Sequence, residues 1–232
     1  MDNEQRIIES WTANAGSWIS LIEENGIESR KLATNKAIVD AVVNLNPTTV
    51  LDIGCGEGWL AKELAGRGME LTGIDVIPEL VEKARQQSKG TFLVASYEDI
   101  FFRMVPLTSL FDVIVINFAL IGKESTEKLL GALPFYLVPG GKLLIQTLHP
   151  HQRKTMDDYV TGWKEGSWTG LGDGFSMPYE WYFRTMEDWL ELLRSAGFSN
   201  IKTTDVLHPD TQQSLSVIFE CSVEQLEKEG ER

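Results

Sequence analysis

The apolar positions near the start of the chain recur at helical spacing. Steps of three and four residues connect Ile7, Ile8, Trp11, Ala15, Trp18, Ile19 and Ile22. This period predicts an amphipathic helix over residues 7–22, which we expect to break near Gly16. Thr34 is expected to cap a second helix that ends before Asn46-Pro47. Residues 1–45 are therefore predicted to form an N-terminal helical cap.

Short apolar runs alternate with helical segments in the middle of the chain. Strands are predicted at residues 49–53, 70–74, 91–95, 112–117 and 142–147. The run at 112–117 is continuous and β-branched, which is typical of parallel strands buried on both faces. Two further strands, at 200–206 and 215–221, predict an antiparallel hairpin at one edge. The pattern predicts one α/β domain over residues 1–232: a doubly wound, seven-stranded, mostly parallel sheet with helices on both faces.

Residues 149–184 interrupt this alternation. The segment, called the insertion below, shows neither period and contains eight aromatic residues. Long aperiodic loops are often functional, so we interpret the insertion as a lid over a flat or apolar substrate. The residues expected to face that substrate are Trp18, Tyr159, Trp163, Trp168, Tyr179 and Trp181. The alternative is that these rings pack on the edge of the domain and that Trp18 belongs to the helix core.

Charge and composition exclude several classes of protein. Lys and Arg number 21 and Asp and Glu 34, and the resulting formal charge of −13 disfavours nucleic-acid partners. A polar, acidic start and no apolar stretch of bilayer length predict a cytoplasmic protein without a membrane span. The two cysteines, Cys55 and Cys221, offer neither a disulfide framework nor a metal-binding spacing. We expect a small-molecule substrate and no metal; the sequence makes no prediction of oligomeric state.

The turn after the first strand carries the candidate chemistry. It reads Asp52-Ile53-Gly54-Cys55-Gly56-Glu57-Gly58, with glycines at alternate positions that permit positive φ and close approach of a ligand. The second strand ends in Asp75, a carboxylate placed to accept hydrogen bonds from a ribose diol. A nicotinamide enzyme is an alternative, because residues 56–61 satisfy the dinucleotide fingerprint. Asp52 favours a positively charged cofactor over a pyrophosphate.

At these residues the chain resembles the class I S-adenosylmethionine-dependent methyltransferases, in particular the small-molecule branch similar to the ubiquinone- and menaquinone-biosynthesis enzymes. The resemblance covers roughly residues 34–221. Its marks are Leu51-Asp52-Ile53-Gly54-Cys55-Gly56-Glu57-Gly58, Gly73-Ile74-Asp75, Phe111-Asp112-Val113-Ile114-Val115, Leu137-Val138-Pro139-Gly140-Gly141-Lys142-Leu143 and Ala196-Gly197-Phe198. The resemblance implies a Rossmann-like fold, S-adenosyl-L-methionine as cofactor and S-adenosyl-L-homocysteine as product.

The resemblance also implies roles for single residues on the ribose and methionine side of the cofactor. Asp75 would hold the ribose and Val76 would pack on the adenine. Arg30 is a candidate partner of the methionine carboxylate, the alternative being a solvated charge. By the resemblance, Gly54, Cys55, Gly56 and Gly58 line the methionine part and the ribose; Asp52, which the charge argument selects, is expected beside them.

Two further pairs of residues follow strands 91–95 and 112–117. Ser96 stands where relatives usually carry an acidic residue facing the adenine amino group, and Tyr97 would offer its backbone N–H to the ring. Asn117 and Phe118 are expected to contact the cofactor, with strand-end packing as the alternative. No proline follows Asn117, which disfavours the branch that methylates amino groups on bases or glutamine side chains.

The predicted activity is S-adenosylmethionine-dependent methyl transfer to an O, N or C atom of a small apolar or aromatic molecule. Such an in-line displacement depends mostly on proximity and orientation, with a base where the nucleophile arrives protonated. His149 is the candidate base, and a histidine bonded to loop backbone is the equal alternative. Three other functions stay open: another use of the same cofactor, a nicotinamide-dependent reductase and a non-catalytic cofactor-binding partner protein.

Overall fold

A computed structural model describes residues 2–152 and 158–223. The helices are α1 (Asn3–Glu23), α2 (Asn35–Asn44), α3 (Trp59–Ala65), α4 (Pro78–Gln87), α5 (Tyr97–Phe101), α6 (Glu124–Ala132) and α7 (Met186–Ser195). A π-helical turn, Arg30–Thr34, precedes α2, and a 3-10 turn, Leu133–Tyr136, follows α6. The strands are β1 (Thr49–Ile53), β2 (Glu70–Asp75), β3 (Thr91–Val94), β4 (Phe111–Asn117), β5 (Leu137–Leu148), β6 (Gly162–Lys164), β7 (Trp181–Phe183), β8 (Phe198–Leu207) and β9 (Ser214–Val223).

One sheet of seven strands organises the fold. Its order is β3-β2-β1-β4-β5-β9-β8, with β1 to β5 parallel and β9 and β8 antiparallel. The predicted Rossmann-like sheet with an antiparallel hairpin at one edge is confirmed. The strand order reverses between β1 and β4, and in open α/β sheets ligands bind outside the carboxyl ends of the strands at this point. The glycine turn lies there because it directly follows β1.

Two apolar clusters, one on each face of the sheet, form most of the core. Strand β4 contributes Ile114 and Ile116 to the cluster under α6 and α7, and Val113 and Val115 to the cluster under α2, α3 and α4. Because successive side chains of a strand point to opposite faces, a strand buried on both must be apolar throughout. This explains the continuous β-branched run in the sequence.

The predicted helix boundaries near the N-terminus are wrong at two positions. Helix α1 runs without a break from Asn3 to Glu23. A Cβ on Gly16 would lie 3.4 Å from Glu79 Oε1, so the glycine marks a close approach of α1 to α4. Thr34 is not a helix cap: its φ of −71° and ψ of −34° are helical, its side chain makes no capping bond, and the π-helical turn already begins at Arg30.

The described part of the insertion packs against α1. Trp168 Nε1 donates to Ser10 Oγ (3.0 Å), Trp11 Nε1 donates to Tyr179 Oη (3.1 Å), and Asn14 Nδ2 donates to the Ser176 carbonyl (2.7 Å). Strands β6 and β7 form a hairpin within the insertion, a regular element that the aperiodic sequence did not predict. Residues 153–157 of the predicted lid lie outside the described residues.

No helix in the described part of the chain has the length and apolar character that a bilayer crossing requires. The cytoplasmic location stays a prediction, as do the boundaries of the N-terminal cap and the lid.

Candidate active site

The glycine turn after β1 is fixed by backbone contacts that only glycine tolerates. The amides of Gly54 and Cys55 both donate to the Ile74 carbonyl, at 2.7 and 3.0 Å, which folds the turn onto β2. Gly54 and Gly58 have φ of +71° and +85°. A Cβ would lie 2.3 Å from Ala119 Cβ at the first position and 2.7 Å from Ala84 Cβ at the second. The turn therefore packs tightly on the chain at Gly54 and Gly58, whereas a Cβ on Gly56 would meet nothing nearer than Trp18 Nε1 at 4.0 Å, which leaves the Gly56 backbone open to a ligand.

Asp75 connects the end of β2 to this turn. Its Oδ2 accepts from the Gly56 amide and its Oδ1 from the Ile77 amide, both at 2.9 Å. Burial raises the pKa of Asp75 to about 6, and the two backbone hydrogen bonds oppose that rise. Each oxygen keeps a second lone pair, so the carboxylate can also accept from a vicinal diol. Val76, the next residue, packs in the apolar cluster between α1 and α4.

Asp52 is a buried acid with an unsatisfied oxygen. Its side chain is 1% exposed, and Oδ2 has no hydrogen-bond partner. Burial, reinforced by the negative charges of Asp75 and Glu57, raises its pKa from 3.8 to about 8. A positive ligand group nearby would reverse this shift, because an opposite charge favours the ionised carboxylate. The position therefore fits a cationic ligand.

Glu57 is a third acid at the turn, and its role in the site is not evident from the sequence. Its Oε2 accepts from Trp18 Nε1 at 3.0 Å, whereas Oε1 is buried without a partner. Burial raises the pKa of Glu57, and its hydrogen bonds and the charge of Arg30 oppose the rise. The only sequence signal was an acidic residue between two glycines. The tryptophan bond brings Trp18 of α1 onto the turn.

Arg30 belongs to the same site and is not a solvated charge. Its Nε donates to Asn35 Oδ1 at 3.1 Å, and its guanidinium lies 4.8 Å from the ring centre of Trp59 and 5.7 Å from that of Trp18. Nη2 is buried without a partner. A buried guanidinium N–H without a partner can donate a charge-assisted hydrogen bond to a carboxylate.

Unpartnered buried polar atoms concentrate at one place in the described part of the chain. They are Arg30 Nη2, Thr34 Oγ1, Asp52 Oδ2, Glu57 Oε1, Asn117 Oδ1 and Gln146 Oε1. All six belong to the carboxyl halves of β1, β4 and β5, to the glycine turn, or to the π-helical turn. Buried polar groups in folded proteins are nearly always hydrogen-bonded, so such a concentration indicates a ligand site.

The side chains of Ser96 and Tyr97, after β3, already have hydrogen-bond partners within the chain, and Phe118, after β4, has an unusual backbone conformation. Ser96 caps α5: its Oγ donates to Asp99 Oδ2 at 2.7 Å and accepts from the Asp99 amide at 3.1 Å. Tyr97 reaches the turn with its side chain, since its Oη donates to the Ala119 carbonyl at 2.9 Å and lies under Gly54. Phe118 has a φ of +54°, a conformation that non-glycine residues rarely adopt.

Cys55 is 4% exposed, and burial raises the pKa of its thiol well above the ordinary value. The thiol is therefore protonated at neutral pH, and the residue contributes to the turn through its backbone.

His149 is buried, and both of its ring nitrogens have partners. Nδ1 accepts from the His151 amide at 3.2 Å, and Nε2 lies 3.1 Å from Asp205 Oδ1. Because a backbone N–H only donates, a neutral ring must carry its proton on Nε2 and donate it to Asp205. These contacts favour the structural interpretation, and the role of His149 as general base stays a prediction.

Of the six residues expected to face the substrate, Trp18 reaches the glycine turn, where its indole donates to Glu57. Trp168 and Tyr179 are buried against α1, where Trp168 packs on Trp11. Trp163 lies edge-on to Tyr182 at 5.2 Å. The remaining two contact residues of the insertion or of α7: Trp181 packs on Phe183 and Tyr159 bonds Glu187. Within the described ranges, no group of three His, Cys, Asp or Glu side chains is arranged to hold a metal.

A family of proteins described as a methyltransferase domain matches residues 16–203. The chain belongs to this methyltransferase family. An uncharacterised methyltransferase of Mycobacterium bovis is 30% identical to it over 154 residues, 66% of this chain and 75% of the relative. A ubiquinone biosynthesis O-methyltransferase of Xanthomonas oryzae is 34% identical over 116 residues, 48% of this chain and 47% of the relative.

The methyltransferase also shares its fold with solved structures. A crystal structure of an S-adenosylmethionine-dependent methyltransferase from Clostridium acetobutylicum superposes with a TM-score of 0.65 at 15% identity, over 91% of this chain and 98% of the other. The prediction of a class I S-adenosylmethionine-dependent methyltransferase is confirmed. The residue assignments within its site stay predictions.

The first test concerns the close approach at Gly54. Gly54→Ala should destabilise the methyltransferase by roughly 3 kcal/mol, because positive φ strain adds to overlap with Ala119. Gly68→Ala is the matched control: its φ is +89°, but a Cβ there meets nothing within 4 Å. The control should lose only about 1 kcal/mol, the strain component alone. Urea unfolding monitored by circular dichroism gives both values, and equal losses would contradict the packing argument.

The second test concerns the acid at position 52. The folded-state pKa of Asp52 is raised from 3.8 to about 8, so its contribution to stability is greatest below pH 4 and is lost as pH rises to 8. The ligand-free wild type should therefore lose stability relative to Asp52→Asn between pH 5 and pH 8, by more than about 1 kcal/mol.

Asp112→Asn is the control, because the pKa of Asp112 is shifted in the opposite direction and its effect on stability should depend on pH in the opposite way. Hydrogen bonds from Thr49 and Thr48 hold the pKa of Asp112 below its ordinary value. Its contribution is present above that ordinary value and is lost as the pH falls. Thermal unfolding across the pH series distinguishes the two behaviours, and parallel curves for wild type and Asp52→Asn would contradict the assignment.

Proposed function

We propose that this methyltransferase binds S-adenosylmethionine across the carboxyl ends of β3, β2, β1 and β4 and transfers its methyl group to a small molecule. The observation that carries the proposal is the concentration of unpartnered buried polar atoms around the glycine turn. Membership of the family supports the transfer chemistry. The acceptor atom, the substrate and the residue roles are parts of the proposal.

From the adenine side to the methionine end, each polar or charged group of the cofactor would face a site residue of complementary charge or hydrogen-bonding character. Asp75 would accept from the ribose hydroxyls, and Val76 and Ser96 stand on the adenine side of it, after β2 and β3. Asp52 and Glu57 would face the ammonium and the sulfonium charge. Arg30 Nη2, buried and without a partner, would bind the methionine carboxylate. Asn117 would complete the methionine end from β4.

The same charges disfavour a nicotinamide cofactor. Asp52 and Glu57 lie at the turn where a dinucleotide would place its pyrophosphate. Like charges at such short range destabilise one another strongly, and more so in a buried site. The fingerprint at residues 56–61 is therefore a coincidence of glycine spacing, and the reductase alternative is the weaker one.

Bound S-adenosylmethionine supplies an electrophilic methyl group on a sulfonium. The protein's own part is to hold that group in line with the acceptor and to exclude water. Trp18, bonded to Glu57 over the turn, contributes to exclusion of water. No free nitrogen of His149 faces an acceptor in this arrangement, so we assign transfer mainly to proximity and orientation.

The acceptor is proposed to be a small apolar or aromatic molecule. The relative from Xanthomonas oryzae, named for an O-methyltransferase of ubiquinone biosynthesis, supports an oxygen as the methylated atom. The formal charge of −13 disfavours nucleic acid as the substrate.

Helix α1 and the insertion are proposed to cover the bound cofactor and acceptor as one unit. Four hydrogen bonds from α1 to residues 174–179 support joint movement: Ser17 to the Gly174 carbonyl, Asn14 to Ser176, Arg6 to the Pro178 carbonyl and Trp11 to Tyr179. A cover of this kind shields the reaction from water.

A third test follows from this coupled cover. Addition of S-adenosylhomocysteine should slow amide hydrogen exchange in α1 and in residues 168–183 together, because the ligand binds under both. Asn14→Ala removes the bonds with Ser176 and should weaken the coupling, so that the protection of the insertion falls more than that of α1. Gln5→Ala removes a bond within α1 only and serves as the control. Protection of one segment without the other in wild type would refute the joint cover.

A fourth test concerns the ribose. Asp75→Ala should weaken binding of S-adenosylmethionine by roughly 1.5–3 kcal/mol, the usual loss for hydrogen bonds to a charged group. Asp112→Ala is the matched control, since Asp112 also accepts from two backbone amides, at Thr48 and Thr49, both at 2.9 Å. Calorimetric titration should show normal affinity for the control. An unchanged dissociation constant in Asp75→Ala would mean that the ribose lies elsewhere.

A further inference from the structure

Gln146, near the carboxyl end of β5, is a buried amide whose oxygen has no partner. Its side chain is 1% exposed, and Nε2 donates to the Thr34 carbonyl at 3.2 Å and to Ser216 Oγ at 2.8 Å. A carbonyl oxygen only accepts, so the nitrogen of the amide must be the atom facing Thr34. The orientation of the amide is therefore fixed, and Oε1 is held as a hydrogen-bond acceptor without a donor.

The strand order separates this amide from the adenine and ribose. The adenine, ribose and methionine of the cofactor are assigned above to the ends of β3, β2 and β1, in that order along the sheet edge. Asn117 on β4 follows, and Gln146 is its register partner on β5. The methyl group belongs to the methionine end, so the acceptor must lie beyond it, on the β4 and β5 side. Gln146 stands on that side.

The cover over Gln146 has an unusual backbone. The Thr34 carbonyl that fixes the amide belongs to the π-helical turn, a form that is rare and frequently found at functional sites. Thr34 Oγ1 in the same turn and Asn117 Oδ1 on the neighbouring strand are also buried without partners. A purely structural glutamine would leave no such group of unsatisfied oxygens, because each costs free energy when buried.

We infer that Gln146 is a specificity-determining residue that accepts a hydrogen bond from an O–H or N–H group of the methyl acceptor. The substrate class is accordingly a small, uncharged hydroxylated or aminated molecule. Anionic acceptors are disfavoured, because Asp52 lies on the same sheet face two strands away and Glu57 and Asp75 lie at the adjoining turn. This inference rests on the proposed function, since it places the acceptor relative to the bound cofactor.

The experiment uses phenol and toluene as probes that differ by one hydroxyl in place of a methyl group. Their dissociation constants are measured by ligand-observed NMR on the full chain saturated with S-adenosylhomocysteine. Gln146→Met should reduce the preference for phenol over toluene by roughly 3- to 10-fold relative to wild type, the effect of one neutral hydrogen bond. Taking the ratio of the two probes removes their different hydrophobicity.

Two variants separate recognition from structure. Ser216→Ala removes one anchor of the amide but leaves Oε1 in place, so it should keep the wild-type preference. Gln146→Glu, protonated in this buried position, keeps an acceptor oxygen and a donor to Thr34, so it should restore most of the preference that the methionine removes. Should Gln146→Met fail to fold, Gln146→Asn takes its place: it keeps a neutral amide but withdraws the oxygen by one methylene, so it should lose the phenol preference in the same way.

Each remaining outcome has a defined meaning. An unchanged preference in Gln146→Met, an equal loss in Ser216→Ala, or no binding of phenol to wild type would overturn the inference. So would a weakened affinity for S-adenosylhomocysteine in Gln146→Met, because it would assign the amide to the cofactor. Failure of wild type to bind S-adenosylhomocysteine would instead refute the proposed function.

Discussion

The rest of the site depends on the burial of three carboxylates beside one glycine turn. Burying an ionised acid is costly unless the charge is paired or hydrogen-bonded, and unpaired acids respond by a rise in pKa. Asp75 is partly compensated by two backbone amides, and its pKa rises only to about 6. Asp52 has an unpartnered oxygen, and its pKa rises to about 8. The turn therefore favours a positive ligand, which would stabilise the ionised carboxylates.

Helix α1 places Trp18 over this glycine turn, and the π-helical turn places Arg30 beside it. By covering the turn, Trp18 removes water that would otherwise solvate Glu57, which raises the cost of the free acids and strengthens their attraction to a cation. The π-helical turn carries Arg30 into the same region, where two indole rings hold the guanidinium. Arg30 therefore lies beside the acids without neutralising all of them, so the site keeps a negative region and a positive end, which suit a zwitterionic methionine group.

The sequence predicted what is local or periodic and missed what is tertiary. Continuous β-branched runs identified the buried parallel strands, and alternate glycines identified the turn. Thr34 was misassigned because threonine before a helical run looks like a cap, whereas its backbone is helical and its carbonyl is bonded by Gln146, distant in sequence. Helix α5 and strands β6 and β7 span five residues or fewer, too short to show a period. The proposed role of Gln146 follows from the strand order and from Ser216 on β9, neither of which is visible in the sequence.

The two halves of the sheet edge accordingly differ in how their specificity arises. On the cofactor side, the proposed recognition depends on charge and on backbone that is exposed by glycine; residues 52–58 supply most of it, and Asp75 and Arg30 add the rest. On the acceptor side, recognition depends on the orientation of one neutral amide, which is set jointly by the π-helical turn and by β9. The neutral oxygen of Gln146 selects among methyl acceptors by whether they donate a hydrogen bond to it, not by their charge. Replacing Gln146 itself would alter the choice of methyl acceptor while leaving the cofactor turn intact, so the same fold can keep its methyl donor and change its substrate.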